Sequence, residues 1–384
     1  MFSPTLLIFL TVFIDLIGFG IVLPLLPSYA ASFHVSDAGI GVLVASFSLM
    51  QFLLAHWWGR LSDRIGRRPV ILVGLAGSAL SYLLFALASN FWLLLLSRVV
   101  AGGMGATVNV AQAYLADTTT AERRARALGL IGAAFGLGFV VGPALGGIAS
   151  RWGNAAPGLI ASGLTAINFL LALRWLPEPA RITTDGPAPV PVHWSRFNLA
   201  FAATACSTIA FTVMYVVFPL EVERSLGLDR HHAAYLFVLI GVVSAVVQGG
   251  LIGRLVPRFG ARALIICGAA LLALGLGLLP GAFASGASGD GLVPLYLALL
   301  LVATGSALIG PSASSFVSHR APAAEQGRAL GLLQSVGAVA RIIGPLVAGG
   351  IASQAGAHAA FYLASGVGAM AGVAAIVEPP RDEG

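Results

Sequence analysis

Apolar stretches of about 20 residues recur along this chain between short polar turns, and each is long enough to cross a hydrocarbon core of roughly 30 Å. Inside lipid a segment must satisfy its own backbone, which leaves only helices or closed barrels. The ten-residue alternating pattern of a barrel is absent. The chain is therefore expected to be an all-α membrane protein with twelve transmembrane helices, spanning approximately 5–29, 38–58, 70–89, 92–115, 127–150, 156–176, 197–220, 232–252, 263–284, 291–316, 328–352 and 359–377. Composition agrees: 58% of the 384 residues are hydrophobic and 9% are charged, against roughly 25% charged in soluble domains.

The chain repeats itself. Gly59-Arg60-Leu61-Ser62-Asp63-Arg64-Ile65-Gly66-Arg67-Arg68 returns as Gly253-Arg254-Leu255-Val256-Pro257-Arg258-Phe259-Gly260-Ala261-Arg262. Further along each half, Arg126-Ala127-Leu128-Gly129 and Gly142-Pro143 return as Arg328-Ala329-Leu330-Gly331 and Gly344-Pro345. Two matches in the same order indicate an internal duplication, so two pseudo-symmetric six-helix bundles are expected. The first is 1–176 and the second 197–384. The cytoplasmic linker is 177–196, where Pro177, Pro179, Pro187, Pro189 and Pro191 forbid a continuous helix.

All 21 basic residues are arginine. With the amino terminus inside, most fall on cytoplasmic turns, three (Arg151, Arg224, Arg230) fall on outer loops, and Arg98 and Arg341 fall within helices. This bias predicts both termini in the cytoplasm. The net charge of +6 sits beside membrane spans rather than in a basic domain, which argues against a nucleic-acid partner. The first thirty residues lack a basic start and read as a first helix rather than a cleaved leader. Cys206 and Cys267 lie in apolar helices and imply no disulfide framework. No nucleophile–base set, nucleotide-binding sequence or helix with metal-ligand spacing stands out, so no enzyme, bound metal or cofactor is expected.

Deep polar residues narrow the function. Asp15 lies roughly 16 Å into helix 1 at 1.5 Å per residue, where an acid costs about 2.5–3.5 kcal/mol and marks an ion pathway or a structural partner for an arginine. Arg98, Gly102, Gly105, Asn109 and Gln112 follow spacings of 4, 3, 4 and 3 on helix 4, a stripe that reads as cavity lining or as a close-packed seam. On helix 11, Gln334 and Arg341 are seven residues apart, with Gly337 between them and Gly344 beyond. The second deep cation needs a counter-charge, either Glu221 or Glu223 or an anionic or hydrogen-bonding group on a substrate. A structural ion pair or a snorkelling side chain is the other reading. Gln51, with Ser48 and Ala55, forms a polar strip on helix 2.

These residues resemble the major facilitator superfamily, and within it the twelve-helix drug:proton antiporters typified by tetracycline efflux proteins. The turn from Gly59 to Arg68, including Asp63, Arg64, Gly66 and Arg67, is similar to the superfamily signature between helices 2 and 3. Gly138-Phe139-Val140-Val141-Gly142-Pro143-Ala144-Leu145-Gly146-Gly147 is similar to the antiporter pattern of helix 5. Arg98 with Gly102, Gly103 and Gly105 resembles the helix 4 arginine motif, and Asp15-Leu16-Ile17-Gly18 with Pro24 and Pro27 resembles helix 1 of the drug-export branch. The sequence departs from tetracycline exporters where they carry acids in helices 3 and 9: here stand Ser81 and Ala270 or Leu271.

The resemblance implies proton-coupled export of a small amphipathic compound by alternating access, with the proton as coupling ion. Asp15 and Arg98 would carry the proton chemistry, while Gln51, Asn109, Gln112, Gln334 and Arg341 would face substrate. Arg67 would bridge Asp63 and Asp117 in a cytoplasmic gate, a set that otherwise reads as a helix-orienting turn. It also implies a bacterial cytoplasmic membrane, a small-molecule partner and a functional monomer. A same-fold importer or facilitator of a metabolite or lysolipid, and more remotely a transporter-like sensor, remain as alternatives.

Overall fold

The computed structural model describes residues 4–105, 107–119, 121–179, 197–287, 292–322 and 325–377, with side chains for all of these except 4, 121–128, 287 and 377. Most of the proline-rich linker and the end of the Gly/Ser-rich stretch before helix 10 lie outside the described residues, as do the side chains of Arg123, Arg124 and Arg126. Among the described residues, twelve helices are long and apolar enough to cross a membrane. They form two pseudo-symmetric six-helix bundles.

Helix 1 runs Pro4–Val22, turns at Pro24 and resumes as Leu26–Ala31, because a proline there removes a backbone donor. Helix 2 is Asp37–Ile65, started by Ser36, whose Oγ accepts from the Gly39 N–H at 3.3 Å. Helix 3 is Arg67–Ala86. Helix 4 is broken at Gly105 into Phe91–Met104 and Thr107–Thr118. Helices 5 and 6 are Ala121–Ala149 and Ala155–Trp175. Helix 7 comes in three pieces, Asn198–Phe211, Val213–Val216 and Phe218–Leu226, while helix 8 is Arg230–Val246, a π-turn at Val247–Leu251, and Ile252–Phe259. Helices 9 to 12 are Ala261–Ala287, Val293–Arg320, Gln326–Ala355 and Ala357–Val377.

The chain divides into two compact units, Met1–Asp185 with Leu228–Gly241, and Gly186–Gly227 with Val242–Gly384. The start of helix 8 belongs with the first unit because glycines of helices 5 and 8 admit it. A Cβ on Gly147 would come within 3.0 Å of the Tyr235 ring, and one on Gly241 within 2.5 Å of the Phe139 carbonyl.

Backbone-to-backbone seams hold each unit, as expected where lipid supplies no hydrophobic driving force between helices. In the first unit helix 5 lies on helix 1: a Cβ on Gly138 would meet Leu16 Cβ at 2.7 Å, on Gly142 the Gly20 Cα at 2.7 Å, and on Gly146 the Ile21 carbonyl at 2.7 Å. In the second unit the duplicated Gly344 packs the same way against Ile209 and Thr212 of helix 7, its Cβ position 3.1 Å from Ile209 Cα. The repeat is therefore a repeat of packing as well as of letters. Large apolar side chains point outward at helix ends, Trp92 at 74% and Trp152 at 71% exposure among them, as interfacial aromatics do.

Candidate functional site

The charged turn folds around one arginine. Arg67 opens helix 3, and Gly66 before it has φ +104, a conformation that suits glycine alone. From that position the Arg67 guanidinium meets Asp63 Oδ1 at 2.7 Å and Asp117 Oδ2 at 2.8 Å, and it donates to Ser62 Oγ at 2.6 Å. One end of helices 2, 3 and 4 is thereby joined by one side chain. Arg64 lies in the last turn of helix 2, and the carbonyl of Gly59 accepts from the Ser62 hydroxyl at 2.8 Å.

Sequence reading passed over Glu178, just beyond helix 6. Its carboxylate accepts from the backbone N–H of Arg67 at 2.6 Å and of Arg68 at 3.0 Å, satisfying orphan donors at the positive end of helix 3. Tyr114 holds the same segment by donating to the Pro177 carbonyl at 2.9 Å. An acid following a helix-ending proline was the available signal. Glu178→Ala is expected to cost about 1 kcal/mol, as loss of a capping oxygen does, read as a lower unfolding temperature in detergent.

Deeper in the same unit, Asp15 of helix 1 lies close to Ser78 of helix 3. Its Oδ1 is buried without a partner. Arg98 is 2% exposed, with its guanidinium 5.7 Å from the Phe85 ring centroid and its Nη2 unpartnered. No ion pair joins Asp15 to Arg98 among the described residues. Tyr82, 4% exposed, lies within electrostatic reach of both charges. Its ring packs on Gly18, where a Cβ would come within 2.8 Å of Cε2 and 3.2 Å of the hydroxyl oxygen. Ser78, Tyr82 and Phe85 are spaced 4 and 3 along helix 3 and share a face, a polar-to-aromatic pattern that sequence reading did not single out.

The helix 4 stripe divides at the Gly105 break. Arg98 and Gly102 are buried, and Gly102 packs against the Phe47 backbone as a seam, whereas Asn109 and Gln112 are exposed. The interruption ends the regular 3.6-residue register that put all five on one face. Gln51 donates to the Gly105 carbonyl at 3.2 Å, tying helix 2 to helix 4 at that break. In the second unit, Gln334 and Arg341 are exposed, and Arg341 acts electrostatically on Tyr215 of helix 7. No carboxylate lies within 4.0 Å of Arg341 among the described residues. Glu221 instead accepts from Ser225 and lies 3.8 Å from His358 Nε2.

One group among the described residues has metal-ligand composition: Asp229, His231 and His232 at the start of helix 8, with ligand atoms within 4.8 Å of one another. Arg151 and Arg230 act electrostatically on His231, which opposes a second cation there.

With this geometry in view, the sequence comparisons decide the family. The model for the Major Facilitator Superfamily matches the chain twice, over residues 8–202 and 200–384. The chain belongs to the Major Facilitator Superfamily. Each half matches the same model, as the internal repeat requires. Among curated relatives, the class B tetracycline resistance protein of Escherichia coli is 32% identical over 362 residues, covering 90% of this chain and 87% of the relative. Among solved structures, the human organic anion transporter MFSD10 (TETRAN) is similar with a TM-score of 0.73 and 25% identity, covering 98% of this chain and 100% of that one. The nucleoside transporter NupG shares the fold with a TM-score of 0.78 at 16% identity, covering 98% of each chain. This superfamily member is a multi-pass membrane protein and a secondary-active, proton-coupled transporter of a small molecule, not an enzyme.

Proposed function

We propose that this transporter exports a small amphipathic compound or drug in exchange for protons, by alternating access, across a bacterial cytoplasmic membrane with both termini in the cytoplasm. The observation that carries this reading is Asp15, a helix 1 carboxyl with one oxygen buried and unpartnered. A polar group left so at membrane depth costs several kcal/mol and persists where a proton or ligand completes it. Similarity to tetracycline resistance proteins over nearly the whole chain supports export. Serine at position 81 argues against tetracycline as the compound carried.

In this reading Asp15 takes up a proton on the outer side and releases it inside. Arg98 biases that equilibrium by its charge. The seam of Gly138, Gly142, Pro143 and Gly146 fixes helix 1 beneath it while Gly147 admits the start of helix 8, and the Asp63–Arg67–Asp117 bridge closes the cytoplasmic ends in one state and opens in the other. Asn109 and Gln112 of the first unit, and Gln334 and Arg341 of the second, offer polar atoms to substrate, with Gln51 holding helix 4 in place. Expressing the chain in an efflux-deficient bacterium is expected to raise resistance to some members of a drug panel, and Asp15→Asn is expected to abolish that resistance while the protein remains in the membrane. Resistance that survives Asp15→Asn refutes proton-driven export through this group, and uptake without a pH gradient in that variant favours the facilitator reading.

Arg341 favours a substrate with an anionic or strongly accepting group. An exposed guanidinium with no carboxylate within 4.0 Å among the described residues can pair with one, and the likeness to an organic anion transporter is in keeping with this. Arg341→Ala is expected to remove resistance to anionic members of the panel at least tenfold more than to neutral ones, the weight of one charge-assisted hydrogen bond of about 1.5 kcal/mol or more. Equal losses for both classes, measured as inhibitory concentrations, count against it.

A further inference from the structure

On the reading of the Asp63–Arg67–Asp117 bridge as a gate, we infer that Trp58 is a positioning residue of transport. Its indole pins the break in helix 4, so that the segment ending near Asp117 swings while the segment holding Arg98 stays in place.

Helix 4 carries a different part of the transporter on each side of Gly105. Phe91–Met104 bears Arg98, which is 2% exposed, and Thr107–Thr118 reaches Arg67 through Asp117. At the break Gly105 has a ψ of 38°, far from the helical value of about −42°, and its N–H donates to the Gly102 carbonyl at 3.2 Å. Carbonyls that would bond the next helical turn are freed there, and at membrane depth each needs a donor from a neighbouring helix. Helix 2 supplies two. The Trp58 indole N–H donates to the Gly103 carbonyl at 2.6 Å, and the Gln51 amide donates to the Gly105 carbonyl at 3.2 Å. Gly103 precedes the break, so Trp58 grips the Arg98 segment alone. The indole is 7% exposed, and a hydrogen bond so shielded from solvent is strengthened.

The two segments are fastened in different ways. A Cβ on Gly102 would strike the Phe47 carbonyl of helix 2, and one on Gly77 of helix 3 would strike Met104, which leaves the Arg98 segment little room to shift. In Thr107–Thr118, Val110, Ala111, Tyr114 and Leu115 pack among core side chains. Beyond them the segment is tied by the polar contact of Asp117 with Arg67 at 2.8 Å. Side chains can repack and an ion pair can change partners, whereas a contact with backbone allows neither. Helix 2 is the frame for both parts: Gln51, Trp58 and Ser62 follow spacings of 7 and 4 on one face, and Ser62 accepts from Arg67 at 2.6 Å. One helix face thus touches the pivot and the bridge together.

Amide hydrogen exchange of the purified full-length protein in detergent, read by mass spectrometry, resolves the two segments. Asp117→Asn breaks the bridge, and it is expected to speed exchange in Thr107–Thr118 by about tenfold or more while Phe91–Met104 stays as protected as in the unaltered protein. Adding Trp58→Phe keeps a ring in the core and deletes the N–H. The faster exchange is then expected to cross the break into the Arg98 segment, by about tenfold for one buried carbonyl left unpaired. With the bridge intact, Trp58→Phe is expected to change that segment much less, a dependence that a tryptophan serving packing alone would not show. Trp57→Phe, at the neighbouring ring that is 53% exposed, is expected to leave both segments unchanged. Benzothienylalanine at position 58, with sulfur in place of the N–H, fills the same space and repeats the test if Trp58→Phe fails to accumulate. Segments that loosen together in Asp117→Asn, or a Thr107–Thr118 segment that does not loosen, overturn the pivot. An Arg98 segment that responds to Trp58→Phe equally in both backgrounds, or in neither, overturns the role of Trp58. The gate reading is judged separately: it falls if drug resistance in Asp117→Asn drops no further than the amount of folded protein.

Discussion

Gly142→Leu is expected to prevent accumulation of folded protein, and Gly142→Ala to lower both unfolding temperature and transport. The reason is what a side chain at 142 would strike. Its Cβ would fall 2.7 Å from Gly20 Cα, 2.8 Å from Gly20 C and 2.9 Å from the Ile17 carbonyl oxygen, all backbone atoms of helix 1. No rotamer change relieves such a contact, so helices 1 and 5 must separate. Overpacking by extra methylenes in a close-packed interior costs about 1–3 kcal/mol when side chains can adjust, and here they cannot. Even alanine must displace helix 1 by several tenths of an ångström. Asp15 rides on that helix five residues before Gly20, so its placement beside helix 3 is expected to suffer first. Gly163→Leu is the matched control: it also lies in a membrane helix, but a Cβ there has nothing within 4 Å. Yield of monodisperse protein in detergent and its thermal unfolding separate the two. Equal tolerance of leucine at 142 and 163 would show that the seam of helices 1 and 5 does not hold the first unit together.

The twelve spans were legible in the sequence because membrane depth forces a single strong signal, a long apolar run, and the repeat was legible because charge is scarce enough for one turn to stand out. The Arg67 cluster was foreseeable through the resemblance, because the turn that carries Asp63 and Arg67, four residues apart across Gly66, forms a distinctive motif. Interruptions of helices were harder to see. Gly105 does not differ in letter from Gly102, yet one breaks helix 4 while the other packs intact against Phe47. The difference lies in what Gln51 and helix 2 offer at each level, which no local pattern encodes. Glu178 was missed because its partner is a pair of backbone donors 110 residues and more away in the chain. Tyr82 was missed for a related reason. Asp15 and Arg98 invite direct pairing when only charge is counted, and the aromatic ring packed on Gly18 emerges only when helices 1, 3 and 4 are brought together.

Arg67→Ala is expected to be the most damaging change at this end of helices 2, 3 and 4, and its damage is expected to run mainly through Asp117. The two ion pairs of Arg67 have nearly equal lengths, but their surroundings differ. The Asp63 side chain is 61% exposed and that of Asp117 24%, against 13% for Arg67 itself. Water screens the first pair, which on that exposure contributes about 0.5 kcal/mol or less, as solvent-exposed ion pairs do. The second is partly desolvated, and removing its cation leaves a carboxylate with reduced hydration, costing about 2–3 kcal/mol on the scale of broken buried pairs discounted for residual exposure. A double-mutant cycle of Arg67→Ala with Asp117→Asn, scored by unfolding in detergent, is therefore expected to give several times the coupling of the cycle with Asp63→Asn. Arg67→Lys is expected to recover only part of the loss, because a single ammonium cannot reproduce the fork that reaches Asp63, Asp117 and Ser62 together. If the bridge also gates transport, stability and turnover will part company across this series. Asp117→Asn frees these helix ends and should alter the transport rate beyond what its lost stability explains, whereas Asp63→Asn, despite changing the more conspicuous letter of the motif, should leave the stability of the first unit nearly untouched. Coupling energies that rank Asp63 above Asp117 would mean that the turn is held through its exposed pair and that partial burial does not set the strength of this bridge.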